Sequence, residues 1–573
     1  MPAAIQNSIQ ISNSTQKHPV SIFSLTIMKN LFLNAAVQGF ARTENGAVAI
    51  ASTGSVLVDQ FGKASALRGR ALKEVFADQA KIAREDAAAA LRFVFYNRLV
   101  TRKTNLLGDQ PTSTEKVQKG QGQRDESFKR FLWYAKNQPD TFYNNLWLMP
   151  TVGSFRDIWD ILLLADEGGI ALNLDRVFET YLALAQYSDL AKKYMPSIQS
   201  NPSCVTERAR LRNKYAKRFM KYLEISAAEY RALKSSGTAH EWQKAISRRE
   251  LSNINFGRIP GKALFLLSKG KFLANQHLED VYMKWLDTQP TAKFTGYAYE
   301  LLKAYQEKAY AAPKQFVKTI NKQFDGLIAT AKQDQGGIKG NVWCALDTSG
   351  SMGSSVSGQA NLSAMDVAKS LAIYFATLNE GAFHKSIINF GNKSHVHQLS
   401  GEFTDMVSQL PSSWGGTNFQ SVIDEIIRIR HARPEVPLSD FPQAVIVVSD
   451  MQFNPSGTGV YSDTRRSNGV YSVQELSNHE AAVAKLHQVF PREFVAGFKF
   501  IWWDVTGRVT SNQPSGLDDQ GTYMFSGFDG SVITLLLGGD PVVVNGVVKA
   551  NPSMEEMVQA ALNQEVLTYA TLG

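Results

Sequence analysis

Cysteine is almost missing from this chain. Its 573 residues include two, Cys204 and Cys344, too few for a disulfide framework or a cysteine zinc site. Both read as reduced thiols of an intracellular compartment. Long uncharged runs are missing too: the longest apolar stretches, such as Ser531 to Leu537, are core-sized, so neither a membrane span nor a membrane partner is expected. The N-terminus lacks the basic start and apolar run of a signal peptide. Residues 1–30 are instead expected to be a flexible tail, rich in Ser, Asn and Gln up to residue 27, with Met28 readable as a second start. The expected location is the cytoplasm. Charged residues are sparse at 20% against 44% hydrophobic, which excludes a disordered polyelectrolyte, and the length implies about two to four domains. No Walker-type phosphate loop occurs, and no His or Glu is pinned beside a nucleophile, so a protein that is not an enzyme is expected.

What is present changes character near residue 335. Before it, apolar residues recur at helical spacing. Ala87 to Tyr96 follows two acidic residues, and Asp125 to Lys136 carries Phe128, Phe131, Leu132 and Ala135 on one stripe. Phe155 to Ala165, Asp175 to Gln186, Arg210 to Leu223, Ala227 to Leu233, Leu278 to Leu286 and Tyr297 to Ala311 repeat the pattern. The expectation is a helical-repeat array over 31–335. Gln333 to Gly337 reads as a linker. Beyond it, over 336–573, strands expected at Asn341 to Leu346, Ser386 to Phe390, Ala444 to Val448 and Phe498 to Val505 alternate with helices at Leu362 to Leu378, Phe419 to His431 and His479 to Val489. That alternation predicts a doubly wound α/β domain with a mostly parallel sheet, and such sheets bind ligands at the C-terminal ends of their strands.

Oxygen side chains gather at that edge. Asp347 ends one strand, with Ser349 and Ser351 in the turn that follows. Asp450 ends the strand VIVVSD, and Thr417 lies in the loop Trp414-Gly415-Gly416-Thr417-Asn418. An oxygen-only donor set with no His or Cys selects Mg²⁺, Ca²⁺ or Mn²⁺ over zinc or copper. With two carboxylates, the ion keeps a position that a partner carboxylate or phosphate can fill. DTSGSM, a Gly-Gly-Thr loop and VVSD in this order resemble the metal-ion-dependent adhesion site of von Willebrand factor A domains. The resemblance implies Asp347, Ser349, Ser351, Thr417 and Asp450 as ligands and Mg²⁺ as the expected ion.

The helical half resembles a second family. Thr43-Glu44-Asn45-Gly46-Ala47, then Gly120 to Asp125 (GQGQRD), Asn144 to Leu162 with Pro150, Gly153 and Asp157, and Glu241 to Leu264 follow the order found in the Ro autoantigen (TROVE) superfamily. The likeness is to its plant, viral and phage branch, and it extends through Trp502-Trp503-Asp504 and Met524 to Gly530 to cover about residues 40 to 570. It implies a ring of HEAT-like helical repeats closed by the A domain, and non-coding RNA, structured or single-stranded, as the partner.

Charge agrees with a phosphate-rich partner. The chain carries a net +9, and the stretch from Val205 to Gly270 alone holds fifteen Lys or Arg against five Glu. Arg248, Arg249, Arg258 and Lys262 flank a Gly/Pro turn beside a helix start and are the first RNA-binding candidates. A second candidate patch is Arg98, Arg102, Lys103, Arg124, Lys129 and Arg130. Tyr215, Tyr222, Tyr230, Trp242, Phe256 and Phe265 lie among the first group of charges and read first as core anchors, then as stacking platforms. The alternative function is a protein-binding scaffold, such as a viral or phage particle component, whose metal captures an acidic partner residue. Virion association is the matching alternative location.

Overall fold

The computed structural model describes residues 40–573 apart from 51, 101, 104–116, 199–205, 238–240, 309–310, 357–358, 412–414, 458, 462–472, 507–513, 516–518, 520, 539–541, 545–546 and 550–551. The expected N-terminal tail, Cys204 and Trp414 lie outside the described residues, as do the side chains of Arg102 and Lys103.

Six strands build the central sheet: β1 Val342–Asp347, β2 Ser386–Phe390, β3 Ser394–Gln398, β4 Ala444–Ser449, β5 Lys499–Asp504 and β6 Thr522–Ser526. Their order is β6-β5-β4-β1-β2-β3. All neighbours are parallel except the edge strand β3, which runs antiparallel to β2. β1, β2 and β4 are buried along their whole length because both sheet faces are covered. Trp502 and Trp503 show the two faces directly. Trp502 packs on Phe419 and His479, and Trp503 packs on Phe375, since successive strand residues point to opposite sides. Helices Gln420–Ala432 and Asn478–Val489 cover the first face, and helix Ala364–Leu378 covers the second.

Helix Ala364–Leu378 is buried at every residue except Met365. It lies between the sheet and helices Ala298–Gln306 and Lys314–Gln335, so apolar residues occur around most of its circumference. Each Leu, Ile or Phe that it buries contributes about 1.5–3 kcal/mol. At the other end of the helical half, helix Val56–Ala64 packs on β6, and the C-terminal helix Met554–Leu562 packs on helix Ala87–Arg98. Helices near both ends of residues 56–335 thus touch the sheet domain, and one apolar core runs through both halves. A second, smaller core gathers Phe256, Ile259, Leu264, Leu273, Leu278, Tyr282, Leu286 and Ala292.

The expected helices form with ends shifted by a few residues. The largest shift is at Tyr297 to Ala311, where the helix spans Ala298–Gln306. The expected linker is corrected: helix Lys314–Gln335 runs through its first residues, and Gly336 ends the helix at φ 83°, a left-handed cap that suits glycine.

Arg98 and Asp157 form a buried ion pair, Nε donating to Oδ2 at 2.6 Å. Gly153 leaves room for it: a Cβ there would lie 2.1 Å from Asp157 Oδ2 and 2.5 Å from Arg98 Cζ. Gly153→Ala is therefore expected to force the pair apart and destabilise the fold by about 3–5 kcal/mol, read as a shift of the urea midpoint. A loss under about 1 kcal/mol would show that the pair tolerates displacement.

Candidate functional site

In the strand order seen here, the chain leaves β1 toward β2 on one side and returns to β4 on the other. The switch lies between β1 and β4, the place where sheets of this kind bind ligands, outside the strands' C-terminal ends. Asp347 is the last residue of β1, and Asp450 immediately follows β4. Both are buried, as are Ser349 and Thr417, with Ser351 partly exposed. The Oγ atoms of Ser349 and Ser351 are 3.1 Å apart. Gly350 N donates to Gly415 O at 3.1 Å, and Asn454 N donates to Thr417 O at 2.9 Å. The three loops that carry the five sequence-predicted ligands are thus tied together. Among the described residues no three His, Cys, Asp or Glu side chains come together; the donors here are two carboxylates and three hydroxyls.

Burial pushes the Asp347 carboxyl up to about 7, and the nearby Asp450 adds to the rise. Hydrogen bonds pull it back: Ser449 Oγ donates to Oδ2 at 2.5 Å and Ser349 N to Oδ1 at 2.9 Å. Ser449 Oγ also accepts from Met451 N at 3.0 Å, and Asp450 Oδ1 accepts from Gln452 N at 3.2 Å. Met451 adopts φ 61°, a left-handed conformation unusual for a side chain of its size, and turns the chain sharply beyond Asp450. Ser449 sits in the quoted VVSD motif but carries no separate signal in the sequence.

The basic residues divide sharply. Lys217, Arg218, Lys221, Arg231, Arg248, Arg249 and Arg258 are exposed, and none forms an ion pair among the described residues. Lys262 is exposed but paired with Glu300 at 2.8 Å. Arg208 and Arg212 lean on Asp160, and Lys214 on Asp166. Arg249 sits at φ 59°. Its N–H reaches Ile246 O and that of Glu250 reaches Ala245 O, which places Arg249 where a helix end of this kind favours glycine.

The second basic patch is corrected. Arg130 is fully buried, its guanidinium donating to Glu126, Gln60 and Gln79 and lying over the Phe93 ring. Lys129 is buried and donates to Arg70 O and Asp125. Arg98 is held by Asp157. These cations satisfy buried acceptors and do not face a solvent partner; among the described side chains of that patch only Arg124 is exposed. Asp125 and Glu126 lie one turn from Lys129 and Arg130 in the same helix, and what buries these pairs is the packing of Arg70, Gln60 and Gln79 from other elements. The aromatics are anchors: Tyr215, Tyr230, Phe256 and Phe265 are buried, and the Tyr230 hydroxyl donates to Pro196 O.

Three comparisons bear on this chain. Residues 342–568 match the family model of a domain of unknown function, DUF7788. An uncharacterized protein of Acanthamoeba polyphaga mimivirus is 22% identical over 333 residues, 55% of this chain and 53% of that protein. The chain thus spans about half the length of that curated relative. The crystal structure of the Deinococcus radiodurans Ro (RSR) protein aligns over 89% of this chain and 99% of that one, at 11% identity and a TM-score of 0.37. A superposition that loose assigns neither fold nor function, so both rest on this chain's own residues. No described helix is long and apolar enough to cross a membrane.

Proposed function

We propose that the chain is a non-catalytic, Ro-like RNA-binding protein whose helical half holds structured or single-stranded non-coding RNA. One observation carries the reading: seven exposed cations that form no ion pair among the described residues lie between Lys217 and Arg258. Such a face binds phosphates by releasing their counterions. The contacts that helices near both ends of 56–335 make with the sheet domain support a ring closed through that domain. Titration of labelled single-stranded RNA onto the full chain at rising salt tests the reading. Affinity is expected to fall linearly on a log–log plot, by about 0.7 per contacted phosphate. Absence of binding at low salt overturns it.

The sheet domain is read as a von Willebrand A-type domain that holds a hard divalent cation, Mg²⁺ before Ca²⁺ or Mn²⁺. The donor set fits. Two buried carboxylates repel each other, no Lys or Arg among the described residues relieves Asp347, and two hydroxyls follow Asp347 while a third, Thr417, comes from a loop tied to theirs. Asp347, Ser349, Ser351, Thr417 and Asp450 would hold the ion, which when bound offers a position for an outside carboxylate or phosphate. Ser449 holds Asp347 in place, and the turn at Met451 sets Asp450.

A second reading, a protein-binding scaffold, is supported by separation: the oxygen site belongs to the sheet domain, and none of the seven exposed cations does. The mimivirus relative is compatible with a scaffold of this kind in a viral particle. Chelation that releases a protein partner while RNA stays bound would favour it.

A further inference from the structure

The N-terminal hairpin reaches the oxygen site. Strands Phe40–Arg42 and Val48–Ile50 pair in register, and the turn between them is braced by its own bonds. Gly46 N donates to Thr43 O at 2.9 Å, and Ala47 N donates to Thr43 Oγ1 at 3.0 Å. The tip then docks on the loop that follows β4. Thr43 Oγ1 donates to Phe453 O at 2.6 Å, and Glu44 N donates to Gln452 Oε1 at 2.7 Å. Asn45 Nδ2 donates to Gln452 O at 2.5 Å and to Thr417 Oγ1 at 3.3 Å.

These partners determine how Asn45 is oriented. Gln452 O is a carbonyl and can only accept, so the group facing it is the NH₂ of the amide. Both amide hydrogens are then committed, one to each loop. Thr417 Oγ1 receives a donor from outside the site, which denies that direction to its own hydrogen and braces the side chain. Gln452 lies two residues beyond Asp450. The amide therefore links the loop carrying one proposed ligand, Thr417, to the loop carrying another, Asp450.

We propose that Asn45 is a positioning residue of the divalent-cation site, holding Thr417 and the Asp450 loop at the separation that ligation needs. This rests on the oxygen-site reading above. Partners that orient ligands from outside typically account for about 10–100-fold in metal affinity. Asn45 is exposed at the turn tip, so replacing it leaves the core intact.

Mn²⁺ titration of the full chain, followed by the electron paramagnetic resonance of the free ion, tests the proposal. Asn45→Ala is expected to weaken Mn²⁺ by about 10-fold, with a melting curve in chelator that overlays wild type. Thr417→Ala weakens binding as well. In the Thr417→Ala background, Asn45→Ala should add less than about 3-fold, because effects of residues that act through one another do not add. An Asn45→Ala chain that binds Mn²⁺ like wild type overturns the proposal, and so does a full, additive effect in the Thr417→Ala background. A wild-type chain that takes up no Mn²⁺ at millimolar concentration overturns the oxygen-site reading itself, and the positioning role with it.

Discussion

Asp347→Asn is expected to abolish divalent-cation binding and to flatten the pH dependence of stability between about pH 4 and pH 7. The carboxyl moves from an ordinary value of 3.8 to about 7 in the fold, first by burial and then through Asp450. A raised carboxyl pKa means that the native state binds a proton more tightly than the unfolded chain. Stability in chelator is then greatest at low pH and is lost as pH rises from about 4 to about 7, by about 4 kcal/mol in all. Asn does not titrate, so the difference between wild-type and variant unfolding curves isolates this group, whatever constant offset the lost hydrogen bonds add. A difference that stays level over that range would mean Asp347 titrates as an ordinary exposed carboxyl. A cation requires the ionised form, so Mn²⁺ affinity of the wild type should rise about tenfold per pH unit up to about pH 7. The variant should bind more than about 100-fold more weakly at any pH, since outer partners alone account for about 10–100-fold.

Replacing Arg248, Arg249, Arg258 and Lys262 together by Ala should collapse RNA binding. Four phosphate contacts to a single strand contribute a salt slope of about 2.8, which over the decade from 1 M to 0.1 M amounts to about 10²–10³-fold in affinity. The log–log slope should fall by that amount in filter-binding assays. Arg433→Ala, on an exposed Arg of the sheet domain paired with Glu435, should leave it unchanged. An unaltered slope in the quadruple variant would move the RNA to another surface. The first three residues form no ion pair among the described residues, whereas Lys262 must first leave Glu300. Its separate contribution should be the smallest of the four.

Much of the sheet domain is readable from local pattern. β1, β2 and β4 are mostly apolar runs of five or six residues between turns, and their helices carry apolar stripes. The edge strand β3 was not, because Ser394-His395-Val396-His397-Gln398 is polar and largely exposed: an edge pairs on one side only and needs no apolar face. Of the oxygen site, the residues adjacent to strand ends were legible, since a strand's last residue is aimed by the strand itself. Asn45 was visible only as part of a family-like segment. Its bond to Thr417 crosses 372 positions, and no periodicity spans that distance.

The basic cluster divides in the same way. The sequence alone established an excess of positive charge between Val205 and Gly270, and the oxygen residues that end β1 and follow β4, because residue identity and spacing within an element are local properties. Only the tertiary structure decided that Arg130, Lys129 and Arg98 turn inward while Arg248, Arg249 and Arg258 stay in water. A buried cation needs an acceptor: Glu126 lies one turn from Arg130 in the same helix, but Asp157 and Arg70 O are brought to Arg98 and Lys129 by packing between elements. The scarcity that marks this sequence had a matching consequence: with no disulfide framework to tie distant segments, packing and hydrogen bonds between remote loops hold the N-terminal turn against the site.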